Sequence, residues 1–206
     1  MNDEDRDVKT ILVGMSGAGK TNIINALVGR KFDESKFCTT TSSFLEKIMT
    51  VKKKKYHLEI WDTAGQEQYR SLTKIFINDS KIVIFVYDIT NRESFNEIDY
   101  WVNTVKEKLG NEPIFGLVGN KKDLFLEEAV KEEEGEKKAK EIGAIFRLTS
   151  AKTGQALIID YLQNLLEEYV KKIGDINEDK DNESNRFEKS NSFSINTVKE
   201  KKSKCC

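Results

Sequence analysis

The chain has 206 residues, 38% hydrophobic and 33% charged, which suffices for one domain with a single core plus some spare length. With 34 basic against 35 acidic residues, the net charge of -1 argues against a general nucleic-acid coat or a broadly basic membrane surface, so no nucleic-acid partner is expected. One histidine (His57), one proline (Pro113) and a single cysteine in the body (Cys38) exclude a His-rich metal site, proline-rich linkers and a secreted disulfide scaffold.

Residues 1–7 read as an acidic, disordered arm with none of the basic character that opens a secretory signal. Val8 to Val13 is a short apolar run ending at a glycine, as a buried strand would be. Lys20 to Val28 reads as a helix. Phe44 to Val51 and Tyr56 to Trp61 predict a hairpin around Lys52–Lys55, a solvated tip with no glycine to mark the turn. Ile82 to Tyr87 and Ile114 to Gly119 are buried strands, and the first is the longest apolar run, far too short to span a membrane, so a cytosolic protein is expected. Phe95, Ile98, Val102, Val105 and Leu109 step by three and four along one helix, on which Trp101 reads as partly buried. Glu132 to Glu141 is a polar helix and Ile145 to Thr149 a strand. Gln155 to Lys172 is a last helix with Leu157, Tyr161, Leu162, Leu165, Leu166 and Tyr169 on its buried side. Alternating strands and helices of this kind predict an α/β fold with helices on both faces of a mostly parallel sheet. In such sheets ligands bind at the carboxyl ends of the strands.

Gly14-Met15-Ser16-Gly17-Ala18-Gly19-Lys20-Thr21 fits G-x-x-x-x-G-K-[ST] between a strand and a helix. Such a loop lets backbone N–H groups wrap phosphate oxygens, so Ser16, Gly17, Ala18, Gly19, Lys20 and Thr21 are the expected phosphate-binding residues. Lys20 would bridge the β- and γ-phosphates and the Thr21 hydroxyl would ligate Mg²⁺. Asp62-Thr63-Ala64-Gly65-Gln66 follows the next strand end. There Asp62 can hold the Mg²⁺ shell, the Gly65 N–H can meet the γ-phosphate, and Gln66 can orient an attacking water.

Asn120-Lys121-Lys122-Asp123 follows a third strand end. The Asp123 carboxylate can accept from N1–H and the 2-amino group of guanine, whereas adenine offers no such pair of donors. Ser150-Ala151-Lys152 follows the last strand and can bring a backbone N–H to guanine O6, while Phe32 can stack on the base. Asn120 and Lys121 complete the expected guanine set. A P-loop kinase of small metabolites is disfavoured, because Asp62–Gln66 and Asn120–Asp123 would have no part in it.

These motifs, in this order, resemble the Ras superfamily of small GTPases over about residues 8–172, and the Rab family within it. The resemblance rests also on Trp61-Asp62-Thr63-Ala64-Gly65-Gln66-Glu67, on Val86-Tyr87-Asp88-Ile89-Thr90 and on Glu93-Ser94-Phe95. It implies a P-loop G domain over residues 8–173: a six-stranded, mostly parallel sheet with one antiparallel edge strand. It implies a GTPase with Gln66, Lys20 and Thr39 as catalytic residues and Mg²⁺ held by Thr21, Thr39 and Asp62. Phe44, Trp61 and Phe76 would be the aromatic triad that meets effectors. By the same resemblance the segments around Thr39 and from Gln66 to Phe76 are switches that order around γ-phosphate. Turnover would be slow, with an activating protein supplying the missing cation. Where the family has Ile-Gly-Val-Asp before its phenylalanine, this chain has Thr40-Thr41-Ser42-Ser43 before Phe44, which also leaves open a nucleotide-dependent binding module with little turnover.

Residues 174–206 carry only Ile176, Phe187, Phe193, Ile195, Val198 and two terminal cysteines as apolar side chains. Too little surface is available there to offset the entropy of ordering, so a disordered tail is expected. Cys205-Cys206 resembles the double prenylation signal of Rab proteins, behind four lysines in Lys199–Lys204. Two lipid chains anchor stably where one does not. The resemblance implies a monomer cycling from cytosol to intracellular membranes in vesicle transport. Its partners would be an exchange factor, an activating protein, a dissociation inhibitor, a prenyltransferase with its escort protein, and effectors.

Overall fold

The computed structural model describes residues 6–30, 32, 43–63 and 75–192, with the backbone alone at Arg6, at Ser43 and over 175–192. The chain divides into two units, residues 1–169 and 170–206. The first unit is built on six strands: β1 (Arg6–Val13), β2 (Ser43–Val51), β3 (Lys54–Asp62), β4 (Ile82–Asp88), β5 (Ile114–Asn120) and β6 (Ala144–Leu148). Their order in the sheet is β2-β3-β1-β4-β5-β6. Every neighbouring pair is parallel except β2 with β3, so β2 is the antiparallel edge strand and the expected architecture is present.

The strand sequences explain their places. All seven residues of β4, Ile-Val-Ile-Phe-Val-Tyr-Asp, are buried, as a central strand covered on both faces requires. Nearer the edge, β3 alternates buried with half-buried residues. β1 starts two residues earlier than expected, because Arg6 and Asp7 pair with Tyr56 and His57. Residues 1–5 lie outside the described residues.

The helices are α1 (Lys20–Leu27), α2 (Arg92–Asn96), α3 (Ile98–Leu109), α4 (Glu132–Ile142) and α5 (Gln155–Ser192). One sheet face, through Leu12, Ile60, Ile84 and Val118, meets Ile23 and Leu27 of α1 and Ile158, Tyr161 and Leu162 of α5. The opposite face, through Ile11, Val13, Val83, Phe85 and Leu117, packs with Ile98, Trp101, Val102 and Val105 of α3. Trp101 is fully buried, not partly so, because its indole Nε1 donates to Glu97 Oε1 at 3.0 Å and needs no water. Truncating a ring so placed costs about 3–5 kcal/mol.

Four expectations shift. The single helix around Phe95–Leu109 is two: Asn91 Oδ1 accepts from the N–H groups of Glu93 and Ser94 to start α2, and α3 restarts after Glu97. Leu157 is 47% exposed, because Ile158, one position on, carries the buried stripe that continues through Tyr161, Leu162, Leu165 and Leu166. The β2–β3 turn is only Lys52-Lys53, both at positive φ (48° and 66°), so Lys54 and Lys55 belong to β3. Finally, the backbone of α5 runs past the end expected at Lys172, over 173–192, to Ser192. After Gly174 no glycine or proline interrupts that stretch, in which acidic and basic residues intermingle. Residues 193–206 lie outside the described residues.

Helix α4 is tied down by charge at both ends of its exposed face. Arg92 clamps Glu134 (Nη1–Oε2 2.6 Å, Nη2–Oε1 2.8 Å), which holds that carboxyl down to about 2, and Lys138 meets Asp99 at 3.0 Å. Underneath, Gly135 lets the helix lie flat on the sheet: a Cβ there would stand 2.5 Å from the Phe146 ring and 2.6 Å from the Tyr87 hydroxyl. Tyr87 cannot retreat, since it is fully buried edge-on against Phe95 at 4.9 Å. Glycine to alanine ordinarily adds about 1 kcal/mol to a helix interior. Gly135→Ala is expected to do the reverse, losing about 1–3 kcal/mol through overpacking, as read by urea unfolding; a gain in stability would contradict this packing.

Candidate functional site

Five loops leave the sheet at the carboxyl ends of β1, β3, β4, β5 and β6, and Ser16–Thr21, Asp62, Asn120–Asp123 and Ser150–Lys152 lie there. The loop after β1 turns at Gly14 (φ 147°), Gly17 (φ 80°) and Gly19 (φ 94°). A Cβ on Gly14 would lie inside the van der Waals radius of the Val86 carbonyl oxygen, and one on Gly19 would strike the Asn120 amide. Only glycine lets the loop run so close to β4 and β5. Gly19 is the N-cap of α1, so no side chain caps the helix, and no acidic residue stands in its first turn. Its N–H groups and positive dipole end are thus directed at whatever the loop encloses.

Lys20 is buried, and its ammonium donates to Gly14 O at 2.7 Å and Met15 O at 3.0 Å. The loop's own carbonyls thereby hold the cation over its concave side. Asp62, at the end of β3, is 3% exposed. Burial raises its pKa, opposed by a hydrogen bond to the Thr21 side chain and by the charge of Lys20. Its Oδ1 is buried with no hydrogen-bond partner among the described residues. Next to it Thr63 Oγ1 donates to Leu12 O at 2.6 Å, which fixes the end of β3 against β1.

A hard oxygen pair with one buried, unsatisfied carboxylate oxygen suits a divalent cation. No cluster of three metal-ligating His, Cys, Asp or Glu residues exists among the described residues. Mg²⁺ does not require one, since it binds through one or two protein oxygens together with water and phosphate. Thr21 and Asp62 therefore fit that ion.

At the other end of the site Asn120 does the joining. Its Nδ2 donates to Ala18 O at 2.9 Å, in the phosphate loop, while its Oδ1 accepts from the Ala151 N–H at 3.1 Å. Ser150 Oγ donates to Asp123 Oδ1 at 2.5 Å and accepts from the N–H groups of Lys152 and Thr153. That bond aims the Asp123 carboxylate. Phe32 is exposed, with the Lys152 ammonium 5.6 Å from its ring centroid. Lys121, in a left-handed conformation (φ 67°), pairs with Asp88 at 2.6 Å. Asp88 was not among the expected site residues, although its place at the end of a wholly apolar strand is a signal of such a role. A 3₁₀ helix over Lys122–Glu127 also went unpredicted.

Phe44, Trp61 and Phe76 form one stack, with both successive ring centroids 5.2 Å apart. Phe44 faces Trp61 across β2 and β3 and is 54% exposed. Thr39, Gly65, Gln66, Cys205 and Cys206 lie outside the described residues, so this geometry does not bear on them.

Asn120→Ala is expected to cost about 1–3 kcal/mol, because it removes the partner of the half-buried Ala151 N–H and frees the phosphate loop. Chemical denaturation checks this, and an unchanged midpoint would show that the amide joins nothing of consequence.

A family model described as Ras family matches residues 9–173. That span opens within β1, takes in each loop of the site just described and closes beyond the buried stripe of α5. The chain belongs to the Ras family.

Proposed function

We propose that this protein, a small GTPase by its Ras-family membership, is a Rab-like switch on intracellular membranes that acts in vesicle transport. Ras-family proteins bind GTP and GDP with Mg²⁺ and hydrolyse GTP. The observation that carries the reading of the site is the convergence of three elements at one end of the sheet. They are a phosphate loop held by Asn120, an orphaned Asp62 oxygen beside Thr21, and an Asp123 carboxylate aimed by Ser150.

In this reading the N–H groups of Ser16 to Thr21 receive the phosphates, and Lys20 turns from its carbonyl cradle toward the β- and γ-oxygens. Thr21, Asp62 and Thr39 would hold Mg²⁺, which would supply divalent charge to offset that of the phosphates. Asp123 accepts two hydrogen bonds from guanine, the Ala151 N–H, which bonds Asn120 Oδ1 in the free protein, is shared with or released to O6, and Phe32 and Lys121 cover the ring. Gln66 orients the water for in-line attack, and Gly65 meets the γ-phosphate. No arginine finger is evident in the sequence, so turnover would be slow until an activating protein lends a cation.

The Rab-like assignment draws support from the Phe44–Trp61–Phe76 stack, exposed at Phe44 and half-buried at the other two rings, an aromatic platform for effectors. Cys205 and Cys206 would carry two lipids, attached by a prenyltransferase with its escort protein. An exchange factor and a dissociation inhibitor complete the cycle between membrane and cytosol. No helix among the described residues is long and apolar enough to cross a membrane. The altered Thr40–Ser43 segment favours a second reading, a binding module that barely hydrolyses GTP.

Nucleotide released from purified protein is expected to be GDP or GTP; recovery of adenine nucleotides would refute the base assignment. Asp123→Asn should lower guanine-nucleotide affinity on the order of 10³-fold to 10⁴-fold and shift preference to xanthine nucleotides, whose 2-oxo group accepts from the new amide. Calorimetry on GDP and XDP measures both. Single-turnover hydrolysis should fall at least about tenfold in Gln66→Leu. Equal rates near zero in wild type and variant would establish the binding-module reading instead.

A further inference from the structure

The β2–β3 tip carries Lys52, Lys53, Lys54 and Lys55, four consecutive like charges, all exposed. No carboxylate among the described residues pairs with any of them. Glu167, in the neighbouring part of α5, bonds instead to Gln163, which itself donates to Thr50 O at 3.2 Å. The turn is also conformationally costly. Both central lysines sit at positive φ, in a two-residue turn that Asn-Gly would satisfy without strain. Repulsion between neighbouring ammonium groups adds to that cost. Neither folding nor the nucleotide site benefits from four lysines here, which leaves an external anionic partner as the physical use for them.

The position of the tip says which partner. β3 runs from Lys54 to Asp62, so the tip lies at the opposite end of the sheet from the nucleotide loops. α5 starts beside those loops at Gln155 and passes Thr50 at Gln163, so the folded unit's last helix runs toward the same pole as the tip. Ammonium groups on flexible stems are point charges suited to a diffuse anionic surface and lack the fork geometry of arginine that reads single carboxylates. We propose that the Lys52–Lys55 tip is an electrostatic contact for an anionic membrane leaflet, which turns the nucleotide loops and the aromatic stack away from the bilayer. As a second contact it rests on the reading that Cys205 and Cys206 tether the chain to a membrane.

The test is cosedimentation of the unlipidated full chain with phosphatidylcholine vesicles, with and without phosphatidylserine. The chain enters β1 at this same pole directly after Asp3, Glu4 and Asp5, so the acidic arm is kept in every variant. Each lysine near an anionic leaflet is worth about fivefold in partition. Lys52→Asn with Lys53→Gly should therefore weaken binding to the anionic vesicles about tenfold or more, and adding Lys54→Gln and Lys55→Gln should weaken it further. The same Asn-Gly variant should melt no lower than wild type, since its turn is the favoured one, so lost binding cannot be lost folding. Equal partition of wild type and both variants overturns the proposal. So does a result in which vesicle binding is unchanged while binding to polyglutamate falls, which would assign the tip to an acidic protein. The tether is tested separately by the intact mass of protein from eukaryotic cells. Unmodified terminal cysteines would remove the anchor reading, while the charge series would still decide the tip's affinity for the leaflet.

Discussion

One carboxamide couples the parts of this site. Asn120 reaches across 102 residues of sequence to hold Ala18 O and, with its other atom, takes the Ala151 N–H. The phosphate loop, the end of β5 and the loop after β6 thus share a single buried side chain. The coupling has a steric side as well, because the amide occupies the space that any Cβ on Gly19 would need. A loop rich in glycine is entropically expensive to order. Bonding it to a rigid strand end lowers the cost that a ligand would otherwise meet on binding.

The electrostatics follow the same logic of parts prepared in advance. Asp62 is buried, which alone would favour its protonated form, and Thr21 and Lys20 counter that. Its spare oxygen is a desolvated acceptor waiting for a cation. Lys20 is directed by two carbonyl oxygens of the phosphate loop. Asp88 performs a similar service for Lys121, whose left-handed backbone makes it a poor candidate for self-positioning. In each case a polar group in a low-dielectric setting is held in place by a neighbour, so little reorganisation is left for the moment of binding.

Much of this was legible in the residues. Short apolar runs such as Val8–Val13, Ile82–Tyr87 and Ile114–Gly119 marked the parallel strands, and the loop of Gly14–Thr21 declared its chemistry through its spacing. What could not be read has physical reasons. The break between α2 and α3 falls at Glu97, an ordinary helix former, and the apolar spacing from Phe95 to Ile98 passes through it unbroken. Leu157 and Ile158 fit the same helical stripe, and only the tilt of α5 on the sheet decides between them. Lys52-Lys53 occupies a turn whose geometry normally announces itself with Asn-Gly. The ties that organise the site, Asn120 to Ala18 and Asp88 to Lys121, depend on neighbouring strand ends and have no local signature.

The two tryptophans occupy very different environments. Trp101 is sealed in the core with its indole N–H bonded to Glu97, whereas Trp61 lies between Phe44 and Phe76 with Lys9 5.3 Å from its ring. The chain therefore contains its own pair of optical reporters. Emission from Trp101 follows the integrity of the whole fold, while emission from Trp61 is set by the stacking and charge at the end of β3, one residue from Asp62. A change in the intrinsic spectrum that leaves the Trp101 component untouched localises an event to that strand end without any label.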